Sequence, residues 1–335
     1  MKVFLRICFL AILVSSLWLV HRVFMHKSPH TGKIEAFQAD NCAYDILAFG
    51  PSYLYVTFDT IEMYRTFGLR SCVLGSPCQP VNETYYFIKM ALSEKHPQLV
   101  VLNADMIVFS KNTYVHKAAF VHEALDGYPV TTDKLDAICN LHTDSVHMEE
   151  FLIPFSKYHA RWRELRKGDF TIKHRRNDYK GFMFYSLQDF KNNVKSYDLI
   201  QAERSPVFKE NLDYLVKIKA LVESKGMKFM LLSSPRSGGF AEGRLAALHD
   251  FAEDNGIAFL DLNLEFDKTG ISNETDFYNG GHLNVLGAEK ATRYIGKWIT
   301  EHFDLKPTLT DRDRAEWDAE VKRYEAARAK AIAGK

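Results

Sequence analysis

Cysteine is scarce in this chain, with five in 335 residues, and no pair has the CxxC spacing of a zinc site. Charge of one sign is also missing. The net charge is +1, which excludes a dedicated nucleic-acid binder, whose phosphate contacts need clustered excess cations. No strand–GxxxxGK[ST]–helix order is present, so a phosphate loop is excluded, and Arg236-Ser237-Gly238-Gly239 does not substitute for one. His142, His147 and His159 match no metal-ligand spacing, so neither a metal nor a cofactor is implied. What remains is an ordinary globular composition, 47% hydrophobic and 25% charged, long enough for one large α/β domain with an insertion.

One apolar run stands apart. Ile7–Val14 and Leu17–Val20, flanked by Lys2, Arg6, His21 and Arg22, form a segment that just spans a bilayer, with Arg6 snorkelling. A cleaved signal peptide is the alternative, but no clear small-x-small cleavage site closes the segment. Residues 1–27 therefore read as a signal anchor, and the cations before the span place the N-terminus inside and the remainder outside. Residues 28–43 read as a tether. In an oxidising compartment Cys42, Cys72, Cys78 and Cys139 allow three pairings, with Cys42 and Cys72 a pair that could lie close, and free buried thiols are the alternative. Asn82-Glu83-Thr84 and Asn273-Glu274-Thr275 match the glycosylation pattern.

From Tyr44 onward, short continuous apolar runs alternate with helical periodicity. Tyr44–Phe49, Ser71–Leu74, Gln98–Leu102, Lys228–Leu232 and Ala258–Asp261 read as five buried strands. That alternation predicts an α/β fold with a parallel sheet covered on both faces. It lapses from about residue 106 to 205, which reads as a largely helical insertion after the third strand. Within it, Arg161, Arg163, Arg166, Lys167, Lys173, His174, Arg175 and Arg176 form a basic run with Trp162 and Phe170 interleaved. A solvated face and a groove for an anionic polymer both fit that run. After the final sheet helix, residues 306–335 read as an amphipathic C-terminal helix, with Thr310 and Asp313 at capping-box spacing.

In such a sheet, sites form beyond the carboxyl ends of the strands. Ser52 follows the first strand, Gly75 and Gln79 the second, Asn103 the third, and His282 lies in a loop after the fifth. A serine there becomes a nucleophile when an imidazole takes its proton and fixed donors receive the oxyanion. The backbone N–H groups of Ser52 and Gly75, with an amide from Asn103 or Gln79, supply such donors. Tyr53 and Arg236 are candidates for substrate binding at the same rim. Asn279 occupies the position three residues before the histidine, where an acid would orient the imidazole, and Asp276 is the nearest substitute.

These residues resemble the SGNH/GDSL hydrolase superfamily, and more closely its membrane-anchored bacterial branch linked to cell-envelope acylation. Gly50-Pro51-Ser52-Tyr53 resembles the first block, Leu74-Gly75-Ser76-Pro77-Cys78-Gln79 the second, and Asn279-Gly280-Gly281-His282-Leu283-Asn284 the last. Leu102-Asn103-Ala104-Asp105 stands where the third block falls, and His159–Leu165 is similar to a segment of that branch. The resemblance covers residues 45–303. It implies a flavodoxin-like three-layer sandwich over 44–305. It also implies serine esterase or acyl-transferase chemistry on acyl, chiefly acetyl, esters of envelope carbohydrate or polymer, with a membrane acyltransferase as a possible partner. The alternative is a catalytically impaired relative that binds envelope glycan or that partner.

Overall fold

The computed structural model describes residues 1–25, 29–109, 118–141, 148–171, 178–237 and 241–333. His142, His147, Lys173, His174, Arg175, Arg176, Gly238 and Gly239 lie outside them. The chain divides into two compact units, one built from Met1–Ala39 with Lys117–Arg176 and the other from Asp40–His116 with Asn177–Lys335.

The larger unit is organised by a five-stranded parallel sheet: β1 (Ile46–Phe49), β2 (Ser71–Leu74), β3 (Leu99–Asn103), β4 (Lys228–Ser233) and β5 (Ala258–Asp261), in the order β2-β1-β3-β4-β5. Each strand is an apolar run because each is covered on both faces. Ile46, Ala48, Val73, Val101 and Leu232 join one core with Met63, Ile295 and Ile299 from helices Thr60–Phe67 and Val285–His302. Helices Val81–Ala91 and Lys209–Ser224 pack on each other and against β1 and β4. The result is the three-layer α/β/α architecture.

Local chemistry fixes the helix ends nearest the strand termini. Asp59 Oδ1 accepts from the Ile61 and Glu62 N–H groups at 2.9 and 3.0 Å, capping Thr60–Phe67. Asn284 Oδ1 accepts from Leu286 and Gly287 N–H groups at 3.0 and 3.2 Å, capping Val285–His302. A Cβ on Gly287 would lie 2.3 Å from the Asp276 carbonyl oxygen, so this helix start seats directly against the segment that precedes the histidine.

The C-terminal helix, Asp311–Ile332, opens with the reciprocal Thr310/Asp313 capping box and buries Trp317 and Tyr324. The Tyr324 hydroxyl lies 2.6 Å from Asp59 Oδ2 and 2.9 Å from Glu289 Oε1. Burial pushes the Asp59 carboxyl up to about 7, and the bond from the Tyr324 hydroxyl acts against that rise.

The smaller unit carries helix Lys2–Phe24, the one helix among the described residues long and apolar enough to cross a membrane. Helix Pro29–Ala39 follows where a tether was expected, and packs against helix Ala118–Leu125. All five cysteines are free thiols, and Asn82 is buried. Of the predicted insertion, Lys117–Arg176 belongs to this unit, whereas residues from 178 onward run back across the sheet unit.

Candidate active site

Strand order reverses between β1 and β3, and the site forms where the chain leaves those two strands. The approach there is tight. A Cβ on Gly50 would lie 2.5 Å from Asn103 Cβ, and one on Gly75 would lie 2.1 Å from the Gly50 carbonyl oxygen. Only glycine permits the ends of β1, β2 and β3 to close up in this way. Pro51 then turns the chain into the short helix Ser52–Tyr55, which places Ser52 at its first position.

The histidine arrives on a hairpin rather than in an irregular loop. Strands β6 (Phe277–Asn279) and β7 (His282–Leu283) are antiparallel, joined by Gly280-Gly281, with Asn279 paired opposite His282. The Gly280 carbonyl accepts from Ser237 N–H at 3.1 Å, Ser237 Oγ at 3.0 Å and Asn192 Nδ2 at 3.4 Å, which pins the turn. Cross-strand pairing puts the two side chains on one face.

Three polar groups line up as a result. Ser52 Oγ lies 2.8 Å from His282 Nε2, and His282 Nδ1 lies 2.8 Å from Asn279 Oδ1. The orientation of the amide follows from its second contact. Asn279 Oδ1 also accepts from the Gly281 N–H at 3.0 Å, so the oxygen, not the NH₂, faces the imidazole. An acceptor at Nδ1 requires a proton there. Nε2 is then unprotonated and accepts from the serine hydroxyl, the arrangement a general base needs. Burial, reinforced by the Arg236 guanidinium, pulls the imidazole down to about 4, so it is neutral at ordinary pH.

Asp276, the substitute acid, is placed elsewhere. It is fully buried, and its Oδ2 accepts from Lys290 Nζ and Ser272 N–H, both at 2.7 Å, while Thr275 Oγ1 donates to Oδ1 at 2.9 Å. A buried carboxylate keeps the partners that compensate its charge, so Asp276 braces the hairpin base and Asn279 holds the imidazole. Gln79 is spent similarly. Its Oε1 accepts from the Ser76 N–H at 2.8 Å and its Nε2 donates one hydrogen to Thr84 Oγ1 at 2.9 Å, which shapes the loop after β2. Asn103 Nδ2 donates to Asp105 Oδ2 at 2.8 Å and to Ser234 Oγ at 3.3 Å, so both amide hydrogens are engaged.

Asp105 is the residue that sequence reasoning passed over. Its buried carboxylate also accepts from Ser233 Oγ at 2.8 Å and Ser234 N–H at 3.2 Å, with Arg236 Nη2 4.0 Å away. The sequence signals for it were its position two residues beyond the end of β3 and its place at the end of Leu102-Asn103-Ala104-Asp105. Arg236 in turn stacks its guanidinium 3.9 Å above the Tyr53 ring, and that ring stacks on His282 with centroids 5.2 Å apart and planes 19° from parallel. Tyr53 thus meets protein on two sides and positions the imidazole. Gly281 makes room for it, since a Cβ there would fall 2.7 Å from Tyr53 Cε1. Tyr185, from the segment read as insertion, closes the edge of His282 at 5.9 Å and packs on Tyr278 at 4.5 Å.

No protein-family profile matches this chain, and no curated protein sequence matches it. Among solved structures it is similar to a protein of Bacteroides fragilis NCTC 9343 whose acylhydrolase activity is itself an inference, at 13% identity and a TM-score of 0.36, covering 80% of this chain and 94% of that one.

Proposed function

We propose that this protein is a serine-dependent acyl-ester hydrolase or acyl-transferase. The observation that carries the reading is the unbroken line Ser52 Oγ–His282 Nε2/Nδ1–Asn279 Oδ1, with 2.8 Å at each step. Ser52 Oγ attacks the acyl carbon and its proton passes to His282 Nε2. The tetrahedral intermediate collapses to a Ser52 acyl ester as the leaving alkoxide takes that proton. Water or an acceptor hydroxyl then attacks the acyl-enzyme, with the imidazole again moving the proton. The developing oxyanion is assigned to the Ser52 N–H and the Gly75 loop beside it.

The length and apolarity of helix Lys2–Phe24 support a single membrane span; from the cations before that span we propose a site outside the cytoplasm, with short-chain, chiefly acetyl, esters of an envelope carbohydrate or polymer as substrates. A second reading, binding without turnover, is favoured by one feature: the group on Nδ1 is an uncharged amide. Hydrolysis of aryl acetates by the full-length protein in detergent separates the two.

The pH profile of that hydrolysis carries a specific expectation. Only neutral His282 accepts the serine proton, so kcat/KM falls on the acid side through the free-enzyme value of about 4 and is flat above it. Arg236→Gln removes a cation that disfavours imidazolium, so the acid limb moves to higher pH, towards the ordinary histidine value. A limb that stays in place, or moves to lower pH, contradicts the assignment of His282 as base.

A further inference from the structure

Helix Lys2–Phe24 has 23 residues, about 35 Å at 1.5 Å per residue, and a bilayer core is about 30 Å thick. If it spans, whatever touches Phe24 and Met25 lies at the lipid–water boundary. Residues 148–170 of the same unit touch them. Phe155 meets Phe24 edge-to-face at 5.4 Å, and Arg161 Nη1 donates to the Phe24 and Met25 carbonyls at 2.6 and 3.0 Å. Those carbonyls lie at the end of the helix, where the last turn of an α-helix leaves carbonyls without an intrahelical partner. Asp169 holds Arg161 in place through a 3.2 Å contact to Nη2, and its other oxygen accepts from the Arg166 N–H at 2.8 Å.

Among the described residues outside the membrane helix, this stretch holds the largest run of exposed apolar side chains, six within 23 residues, with Val130 and Leu135 exposed elsewhere in the same unit. Ile153, Trp162 and Phe170 are 60%, 60% and 62% exposed, and Met148, Leu152 and Phe155 are exposed as well. The sheet unit, much the larger, has only Ile200, Val216 and Ile332 in that class among the described residues. Cations are interleaved with them. Arg163 lies 4.6 Å over the Trp162 ring, and Arg166 and Lys167 are exposed beside it. Aromatic rings with an apolar body and a polar edge, mixed with arginine and lysine, are the composition favoured at a headgroup layer. Isolated exposed apolar residues need no explanation, but a cluster at the mouth of an apolar helix does.

We propose that residues 148–170 form an interfacial collar, seated in the headgroup layer of the bilayer around the end of helix Lys2–Phe24. The proposal rests on that helix spanning the membrane and is independent of the Ser52 chemistry. It gives the basic, aromatic-interleaved run a lipid surface as its ligand, in place of a soluble anionic polymer.

Tryptophan quenching in vesicles tests it with the intact chain. The protein has four tryptophans, so Trp18→Phe leaves Trp162 with Trp298 and Trp317. In vesicles containing phosphatidylglycerol brominated near the headgroup end of its chains, Trp162 emission is quenched, removing up to about a third of the signal. Adding Trp162→Phe to Trp18→Phe abolishes that quenchable fraction. In Trp162→Phe alone, Trp18 is quenched by lipid brominated deeper in the chain. Deep quenching of Trp18 with none of Trp162 overturns the collar while leaving the span intact. Absence of both overturns the collar and the span together. Trp162 shielded only when other membrane proteins are co-reconstituted gives the surface to a protein partner, and also overturns the proposal.

Discussion

Replacing Ser52 with alanine is expected to lower kcat for ester cleavage by on the order of 10⁴–10⁶, with little change in KM. The hydroxyl contributes one hydrogen bond to a half-buried imidazole, so the stability loss is only about 1 kcal/mol and the variant folds. The kinetic loss is far larger because, among the described residues, Ser52 is the group that stands on His282 Nε2. His282→Gln removes the base and costs a comparable factor. The double variant costs little more than either alone, because the two groups act as one unit. Steady-state aryl-ester kinetics on the three variants check this. Additive losses would mean that the pair does not operate as nucleophile and base.

Asn279→Asp is expected to raise kcat by between about tenfold and about a thousandfold, the rare case of a single change that improves an active site. The amide oxygen already fixes the Nδ1–H tautomer, so geometry is in place and only charge is missing. A carboxylate beside the imidazolium that forms during attack contributes up to about 4 kcal/mol at an effective dielectric of about 20. Each 1.36 kcal/mol is worth about a factor of ten, and the cost of burying the new charge takes back part of it. The Gly281 N–H, now bonded to Asn279 Oδ1 at 3.0 Å, has an equivalent acceptor in the variant, so the hairpin keeps its shape. The same carboxylate favours the protonated imidazole, so the acid limb moves up from about 4. Measured kcat and its pH profile test both halves of the expectation. A fall in kcat would show that position 279 holds more than a tautomer.

Much of the sheet was legible because its strands are short unbroken apolar runs, a pattern that only two-sided burial explains. Ile46–Phe49, Ser71–Leu74 and Leu99–Asn103 fall where the apolar runs put them, and Ser52 and Asn103 land at neighbouring strand ends. What the pattern could not carry was side-chain commitment. Gln79, Asn103 and Asp276 sit at suitable places in sequence, yet each is already hydrogen-bonded, to Thr84, Asp105 and Lys290 respectively. Tyr185 was invisible for another reason. The segment around it has little regular structure and is held by isolated backbone bonds, Met183 N–H to Tyr55 and Val285 N–H to the Tyr185 carbonyl, at 2.7 and 2.9 Å. Such a strap has no periodicity to read. The hairpin was missed because β6 and β7 are three and two residues long, below the length at which alternation becomes a signal.

The central claim, that Ser52 is a nucleophile made reactive by a neutral His282, is tested most directly by covalent labelling. The folded, full-length protein is treated with a fluorophosphonate at neutral pH and its peptides are mapped by mass spectrometry. The account predicts a single adduct on Ser52, lost in His282→Gln and faster to form in Asn279→Asp. An unlabelled Ser52 in protein shown to be folded, or an adduct that forms equally well without His282, would contradict it.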